Sequence, residues 1–165
     1  RMELHQPYEN LTYYGRGPFE NYIDRYSGAF IGRYEDKVEN QFYWYIRPQE
    51  TGNKTDVRWL TLLDSGGLGV KITGLQPISF SALHFSPEDL DPGLTRKLQH
   101  TIDIVPQKNI FLHVDLKQRG LGGDNSWGMY PHNEYRLLDK KYTYSYMIEL
   151  VEKGSDKNDY LNSRK

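Results

Sequence analysis

A glycine-rich segment of this chain leads into a tryptophan, a residue type that can bind a carbohydrate ring. The segment runs from Gly120 to Gly128. Gly122 and Gly123 allow a sharp turn, and Asp124 and Ser126 can bond loop amides and hold it. Trp127 would then either stack on the apolar face of a sugar or plug one end of the hydrophobic core. A core position is the more common role of a lone tryptophan, and the residues alone leave both roles open.

A second segment, Tyr14–Arg25, mixes charges with rings, glycines and a proline. Side chains combined in this way could face a ligand or a neighbouring domain. The alternative is a simple turn in which two arginines pair with two carboxylates, because local ion pairs are common and weak. The candidate site-facing or interface residues here are Arg16, Glu20, Asn21, Asp24 and Arg25.

A third segment, Arg47–Trp59, leaves one strand-like run, crosses a polar loop around Thr51 and returns through another. Glu50 and Arg58 are its candidate site-facing or interface residues. From the pattern alone, an ordinary hairpin with exposed charges is the favoured interpretation.

No motif in the chain specifies a catalytic or metal centre. The sequence contains no GxSxG, Walker or GxGxxG pattern, and no HExxH pair. Its acidic residues show no spacing that singles out two carboxylates for glycoside hydrolysis. The five histidines are scattered along the chain: His5, His84, His100, His113 and His132.

Composition excludes several classes of function. The 165 residues carry 21 Lys and Arg against 22 Asp and Glu, so no basic excess favours nucleic acid or an acidic membrane. No apolar run approaches the roughly 18 residues of a membrane span. Cysteine is absent, which excludes disulfides and fits either the cytoplasm or the periplasm. Aromatic residues make up 14%, which suits half-buried sheet faces and sugar-binding surfaces.

The elements that must position these segments are predicted to be strands. Short runs of alternating apolar and polar residues are separated by turn residues, a pattern typical of an antiparallel β-sandwich or barrel. The predicted strands are Asn10–Tyr14, Gln41–Ile46, Val57–Leu63, Gly69–Thr73, Ile78–Phe85, Thr101–Val105, Ile110–Leu116, Glu134–Leu138 and Tyr142–Leu150.

Helix signals are few. Ser86 can cap a helix of about one turn, with Pro87 at its first position and Asp89 three residues after the cap. A second short turn is predicted within Phe19–Ser27. We therefore expect one β-sandwich domain over residues 1–151, followed by a polar tail or linker over residues 152–165.

Taken together, the three segments resemble the C-terminal domain of glycoside hydrolase family 2 β-galactosidases. Tyr14–Arg25 is similar to that domain's G-x-G-P-x-E-N-Y-x-D-R signature. Arg47–Asn53 resembles its P-x-E-N-G loop, with Thr51 where asparagine is usual, and Gly122–Gly128 resembles its G-G-D-x-S-W loop. Order and spacing agree from about Tyr13 to Leu150.

The resemblance implies a large, mutarotase-like β-sandwich that packs near a separate (β/α)₈ barrel. Both catalytic glutamates would lie in that barrel, and Trp127 would form a stacking wall beside the sugar. The implied partners are this barrel, in the same polypeptide of a bacterial-type enzyme, and a β-galactoside. No catalytic residue, metal or cofactor is expected in this chain; any divalent or monovalent cations of the parent enzyme would be bound elsewhere.

No stretch of the chain resembles the barrel, and the family's sandwich is longer. We therefore expect an excised and incomplete sandwich, which could form a homo-oligomer through an open edge. Two alternatives remain: a free-standing carbohydrate-binding module with several rings on one exposed face, and a mutarotase-like enzyme. The latter would need a histidine and a carboxylate converging in one cleft, and His84, His113 and His132 are the candidates.

Overall fold

Seven antiparallel strands form one sheet in the computed structural model, which describes residues 1–91, 93, 99–125 and 127–152. Their order across the sheet is β1-β6-β5-β4-β2-β3, and β7 pairs with β5. The strands are β1 (Met2–Leu4), β2 (Asn10–Gly17), β3 (Phe30–Lys37), β4 (Lys54–Leu63), β5 (Gly69–Leu83), β6 (Ile110–Asp115) and β7 (Tyr146–Val151).

The prediction of an all-β, antiparallel domain with few helical turns is confirmed. A β-sandwich consists of two packed sheets, and the described residues form one sheet. The one α-helix they contain is α1 (Pro87–Leu90), and it has the expected capping box: the Ser86 hydroxyl accepts the Asp89 amide at 3.2 Å, and the Asp89 carboxylate accepts the Ser86 amide at 2.7 Å.

Three predicted strands are wrong. Gln41–Ile46 begins at the end of a 3₁₀ turn (Val38–Gln41). A 3₁₀ turn at Thr101–Asp103 replaces most of Thr101–Val105, and another at Asn133–Tyr135 covers the start of Glu134–Leu138, whose remaining residues form no strand. Local hydrogen bonds explain this outcome, because a side chain that binds nearby backbone competes with strand pairing. The Asp103 carboxylate, for example, accepts the His100 amide at 2.8 Å.

The short turn predicted within Phe19–Ser27 is also different in the structure. Tyr22 and Arg25 form an isolated antiparallel bridge in place of a helical turn, and the Arg25 amide donates to the Tyr22 carbonyl at 2.8 Å. Two strands, β1 and β3, were not predicted. β3 carries charges at four of its eight positions, so its sequence lacks a clear apolar face.

Gly69–Thr73 and Ile78–Phe85 were predicted as separate strands, but β5 runs through both. Since β4 occupies one edge of β5, β6 and β7 lie end to end along the other edge. Between them the Gln76 side chain replaces missing strand pairing: its amide nitrogen donates to the Ser145 carbonyl at 3.1 Å, and its oxygen accepts the Ser145 amide at 3.3 Å.

The main core covers one face of the sheet. Its buried residues come from β2, β4, β5 and β6 and from Val38, and a smaller cluster packs near α1. The first set includes Leu11, Tyr13, Leu60, Leu62, Ile72, Phe80, Ile110 and Leu112; the second contains Phe42, Leu83, Phe85, Leu90 and Ile104.

The side chains of Ile148 and Leu150 on β7 point to the same face of the sheet as the main core but lie outside that core. Ile148 lies opposite Ile72, and Leu150 lies opposite Val70, yet both β7 side chains are exposed. β7 ends at Val151; apart from Glu152, the predicted tail of 152–165 lies outside the described residues. In the part of the chain described, no helix is long and apolar enough to cross a membrane.

Candidate functional site

The Tyr14–Arg25 and Arg47–Trp59 segments pack against each other through backbone and side-chain hydrogen bonds. The Asn21 amide donates to the Asn53 carbonyl, and the Asn53 side chain donates to the Asn21 carbonyl, each at 2.8 Å. The Asn21 side-chain oxygen accepts the Thr55 amide at 3.0 Å and also the Thr55 hydroxyl. Asn21, Asn53 and Thr55 are all buried, so the polar loop is part of the interior, unlike the exposed hairpin that the pattern favoured.

Glu20 is buried at this junction with donors on both carboxylate oxygens. Arg25 and Tyr45 donate to Oε1, while the Thr51 hydroxyl and the Gly52 amide donate to Oε2 at 3.1 and 2.8 Å. A buried carboxylate is tolerated when it is paired and fully hydrogen-bonded. Glu20 therefore holds two segments together, and its contacts lie within the chain.

Arg16 makes a long-range contact in place of the local pair considered for its motif. Its Nε lies 2.5 Å from the Asp56 carboxylate, and its Nη1 donates to the Ala29 carbonyl at 3.0 Å. Its guanidinium also lies over the Tyr26 ring, 4.3 Å from the centroid. Of the local pairs considered for this segment, Arg25–Glu20 is present.

Lys54 is a buried cation beneath the same junction, only 1% exposed. Its ammonium donates to the Gly52 carbonyl at 3.2 Å. Burial lowers the pKa of Lys54 to about 8, although the negative charges of Glu20 and Asp36 oppose the shift. No local pattern singles out this lysine, because its burial depends on how β4 meets the loop before it.

Asp24 connects the Tyr14–Arg25 segment to the glycine-rich loop. Its Oδ2 accepts the Gly122 amide at 2.7 Å. Gly120 lies so close that a Cβ there would be 2.8 Å from the Asp24 carboxylate and from the Tyr135 Cβ. The Gly120 amide donates to the Tyr135 carbonyl at 2.7 Å, which fixes the start of the loop from its other side.

Trp127 stands on the surface at the end of this loop and is 92% exposed. Its backbone amide donates to the Asn125 side-chain oxygen at 2.8 Å, whereas the anchors expected from the sequence were Asp124 and Ser126. Asp124 contacts His132 instead, with Oδ1 and Nε2 2.7 Å apart, and Ser126 lies outside the described residues. The hydrogen bond to Asp124 raises the pKa of His132 above its ordinary value. In this structure Trp127 does not plug the core.

Gly123 is placed by close packing. A Cβ on Gly123 would lie 2.2 Å from the Met129 carbonyl oxygen, so a larger residue could not occupy this position without moving the loop. The shape before Trp127 therefore depends on Gly120 and Gly123 as spacers and on Asp24, Asn125 and His132 as polar contacts.

Glu50 and Arg58 lie away from these anchors. The Gln118 side-chain amide donates to Glu50 Oε1 at 3.4 Å, and Arg58 donates to the Asp56 carbonyl. Partial burial raises the pKa of Glu50; the charge on Asp115 adds to the shift and the bond from Gln118 opposes it.

Three histidine–carboxylate pairs occur among the described residues, at different places. His84 Nε2 lies 3.1 Å from the Glu9 carboxylate and its Nδ1 lies 3.1 Å from the Asn109 carbonyl, so both ring nitrogens already contact acceptors. Two of the pairs are exposed, His132 with Asp124 and His100 with Asp103. Burial lowers the pKa of His113, which belongs to none of the three pairs. Within the described ranges, no three His, Asp or Glu side chains are grouped so as to hold a metal.

Sequence reasoning missed several residues that build this region. Four residues that were not named as candidates make hydrogen bonds to candidate residues. These pairs are Tyr45 with Glu20, Thr55 with Asn21, Asn125 with Trp127, and His132 with Asp124. Asn125, two residues before Trp127, was an available signal, since asparagine commonly binds the amide two residues ahead in a turn.

Comparison with known proteins agrees with the three motifs. The family model described as the beta galactosidase small chain matches residues 1–148. A β-galactosidase of Priestia megaterium (strain DSM 319 / IMG 1521) is 37% identical over 147 residues, which are 88% of this chain and 14% of the relative. A β-galactosidase of Streptococcus thermophilus is 38% identical over 144 residues, 86% of this chain and 14% of the relative. A β-galactosidase of Lactobacillus delbrueckii subsp. bulgaricus is 37% identical over 141 residues, 85% of this chain and 13% of the relative.

The chain thus spans about one seventh of the length of these curated relatives. The family match covers all three motifs and every described strand except the end of β7. The chain belongs to the β-galactosidase small chain family.

Proposed function

We propose that this chain is a non-catalytic domain of a family 2 β-galactosidase and lends Trp127 to the active site of the parent enzyme. The parent would hydrolyse terminal β-D-galactosides with retention, through a covalent glycosyl-enzyme. Both catalytic carboxylates would come from a barrel domain of the same polypeptide. The domain would complete the sugar pocket and pack against that barrel.

The exposure of Trp127 carries the proposal. A tryptophan that a soluble domain leaves 92% exposed buries little apolar surface for its own fold. The anchoring of its loop at Asp24, Asn125 and His132 fits a ring that must be held in a defined place. A positioned ring stacks on the C–H face of a pyranose and loses little conformational entropy on binding.

Trp127 cannot transfer a proton or form the glycosyl bond, so its contribution is to binding and orientation. Removing it should raise KM by about tenfold, in line with ring-stacking contacts of about 1–3 kcal/mol, with a smaller effect on kcat. The isolated chain should not hydrolyse a chromogenic β-galactoside.

The test is Trp127→Leu in the intact polypeptide that carries this chain. Trp44→Leu is the matched control, because Trp44 is also a largely exposed tryptophan, 64%, but contacts Phe42 and Phe85 away from the loop. Steady-state kinetics and the melting temperature are measured for both. We expect Trp127→Leu to raise KM without changing the melting temperature, and Trp44→Leu to leave KM unchanged. An unchanged KM with a lowered melting temperature would make Trp127 a structural residue, and hydrolysis by the isolated chain would overturn the non-catalytic assignment.

A further inference from the structure

The sheet face opposite the core contains a groove that the role proposed for Trp127 does not use. Side chains alternate along a strand, so Thr12 and Tyr14 face away from the core that buries Leu11 and Tyr13. The groove crosses β2 between β3 and β4 and encloses about 620 Å³, within the range of small-ligand sites. None of the described residues that line it belongs to the Gly120–Gly128 segment.

The strand register gives the groove its shape. Thr12 on the central strand lies opposite Glu35 on one side and Thr61 on the other. Because Thr12 is short, it forms a low floor between side chains of the flanking strands. Tyr14, the next residue on this face, lies opposite Trp59, and their rings are 6.5 Å apart with an interplanar angle of 31°.

Trp59 supplies a ring at the edge of this floor. Trp59 lines the groove and is only partly buried, while Tyr14 is 39% exposed. Neither ring is needed to close the main core, which lies on the other face. An aromatic pair beside a polar floor is the arrangement that favours binding to the apolar face of a sugar ring.

Polar groups around the groove are held in place by one another. Arg33 pairs with Glu35 on β3, and the Lys37 ammonium donates to the Asn10 side-chain oxygen at 2.6 Å. The Asn10 amide donates in turn to the Leu63 carbonyl at 3.0 Å. Such prearranged donors and acceptors can bind hydroxyl groups without first losing much side-chain entropy.

The charge of the lining selects the class of ligand. The side chains lining the groove include two basic residues, Arg33 and Lys37, and three acidic ones, Glu35, Asp36 and Asp64. With the two signs nearly balanced, the groove has no strong field for a phosphate, a nucleic acid or another highly charged ligand. A neutral molecule with many hydroxyls and one apolar face matches the lining.

We propose that this groove is a second carbohydrate-binding site, which binds a neutral mono- or disaccharide with its ring on Trp59. The site is independent of the Trp127 proposal, because the two tryptophans come from different segments and the groove is formed by this chain alone.

Binding is measured on the full 165-residue chain by titrating lactose, and separately galactose, into ¹⁵N-labelled protein. We expect saturable shifts at the amides of Thr12, Glu35 and Thr61, and about tenfold weaker binding in Trp59→Ala. Trp44→Ala is the matched control, because it removes an exposed tryptophan outside the groove. This variant should bind the sugars as tightly as the native chain does.

A second pair of variants guards against a folding defect in Trp59→Ala. Glu35→Ala breaks the exposed Arg33–Glu35 pair at the groove, and Glu88→Ala breaks the exposed Arg1–Glu88 pair away from it. Only Glu35→Ala should weaken sugar binding, and both proteins should stay folded. The proposal is overturned if neither sugar shifts any amide, if the shifts centre on Asn125 and Trp127, or if binding survives both Trp59→Ala and Glu35→Ala. An absence of binding would favour the rest of a longer polypeptide as the occupant of this face.

Discussion

The Asp24 carboxylate accepts the Gly122 amide at 2.7 Å, across 98 positions of sequence. This bond joins the segment that precedes β3 to the loop that presents Trp127. Arg25, the next residue, donates to the buried Glu20 carboxylate, so one short stretch, Glu20–Arg25, contributes to both the buried junction and the exposed loop.

Asp24→Ala should loosen the tryptophan loop. A hydrogen bond to a charged acceptor contributes about 1.5–3 kcal/mol, and its loss frees the Gly122 amide. We expect faster hydrogen exchange at Gly122 and a lower melting temperature. Asp64→Ala is the control, because Asp64 also accepts two turn amides, those of Gly66 and Leu68. Asp64→Ala should leave exchange at Gly122 unchanged; equal effects of both variants on Gly122 would contradict a direct anchor.

Gly120→Ala should destabilise the domain. The new methyl would lie 2.8 Å from both the Asp24 carboxylate and the Tyr135 side chain, so these groups must shift at a cost of about 1–3 kcal/mol. Gly28→Ala is the comparison, since its methyl would meet only the Phe19 ring at 3.6 Å. Denaturant unfolding should show a loss for Gly120→Ala and a change within about 0.5 kcal/mol for Gly28→Ala. Similar losses at both positions would refute close packing as the cause.

His132 should titrate above its ordinary pKa because the Asp124 carboxylate stabilises its charged form. A pKa raised on folding means that this contact stabilises the fold below the unfolded pKa and is lost as the pH rises through the folded value. NMR titration of the His132 ring should show the raised pKa, and Asp124→Asn should lower it. Asp103→Asn, at an exposed carboxylate elsewhere, should not change the titration of His132. A titration insensitive to Asp124→Asn would rule out the pair.

Lys54 should make the free energy of unfolding depend on pH in the alkaline range. Its pKa falls on folding from 10.5 to about 8, so between these values the unfolded chain binds more protons and stability rises with pH. Lys54→Met removes a charge whose burial costs on the order of 3 kcal/mol at neutral pH. The variant should be more stable than the native chain at pH 7, and its advantage should shrink between about pH 8 and 10.5. Unfolding free energies that stay parallel across this range would contradict the assignment.

The isolated chain should associate through β7. Among the described residues β7 pairs only with β5, and its exposed side chains Ile148 and Leu150 continue the core face. Open strand edges with apolar side chains recruit further strands. Light scattering should show a dimer or larger species that Ile148→Lys converts to a monomer. Ile102→Lys, at a position 88% exposed elsewhere, should not do so. A native monomer at high concentration would refute the prediction.

The sequence by itself determined the elements whose residues carry a complete local signal. β2, β4 and β6 contain short runs rich in apolar, aromatic and β-branched residues, and Ser86, Pro87 and Asp89 form a one-turn helix cap. The three motifs likewise predicted the family, since their order along the chain needs no three-dimensional information. The strand and helix signals are reliable because each depends on residues only a few positions apart.

Tertiary structure alone decided which polar residues are buried and which aromatic ring is exposed. The charged strand β3 becomes a strand because it pairs with β2. Glu20 and Lys54 look like surface residues until the folded chain buries them: Thr51 donates to Glu20 from 31 positions away, and the charges of Glu20 and Asp36 act on Lys54. Trp127 is exposed because contacts at Asp24 and His132 set its loop. The physical reason is common to all of these: the hydrogen bonds and burial that fix them involve atoms far apart in sequence, and no local pattern encodes such pairs.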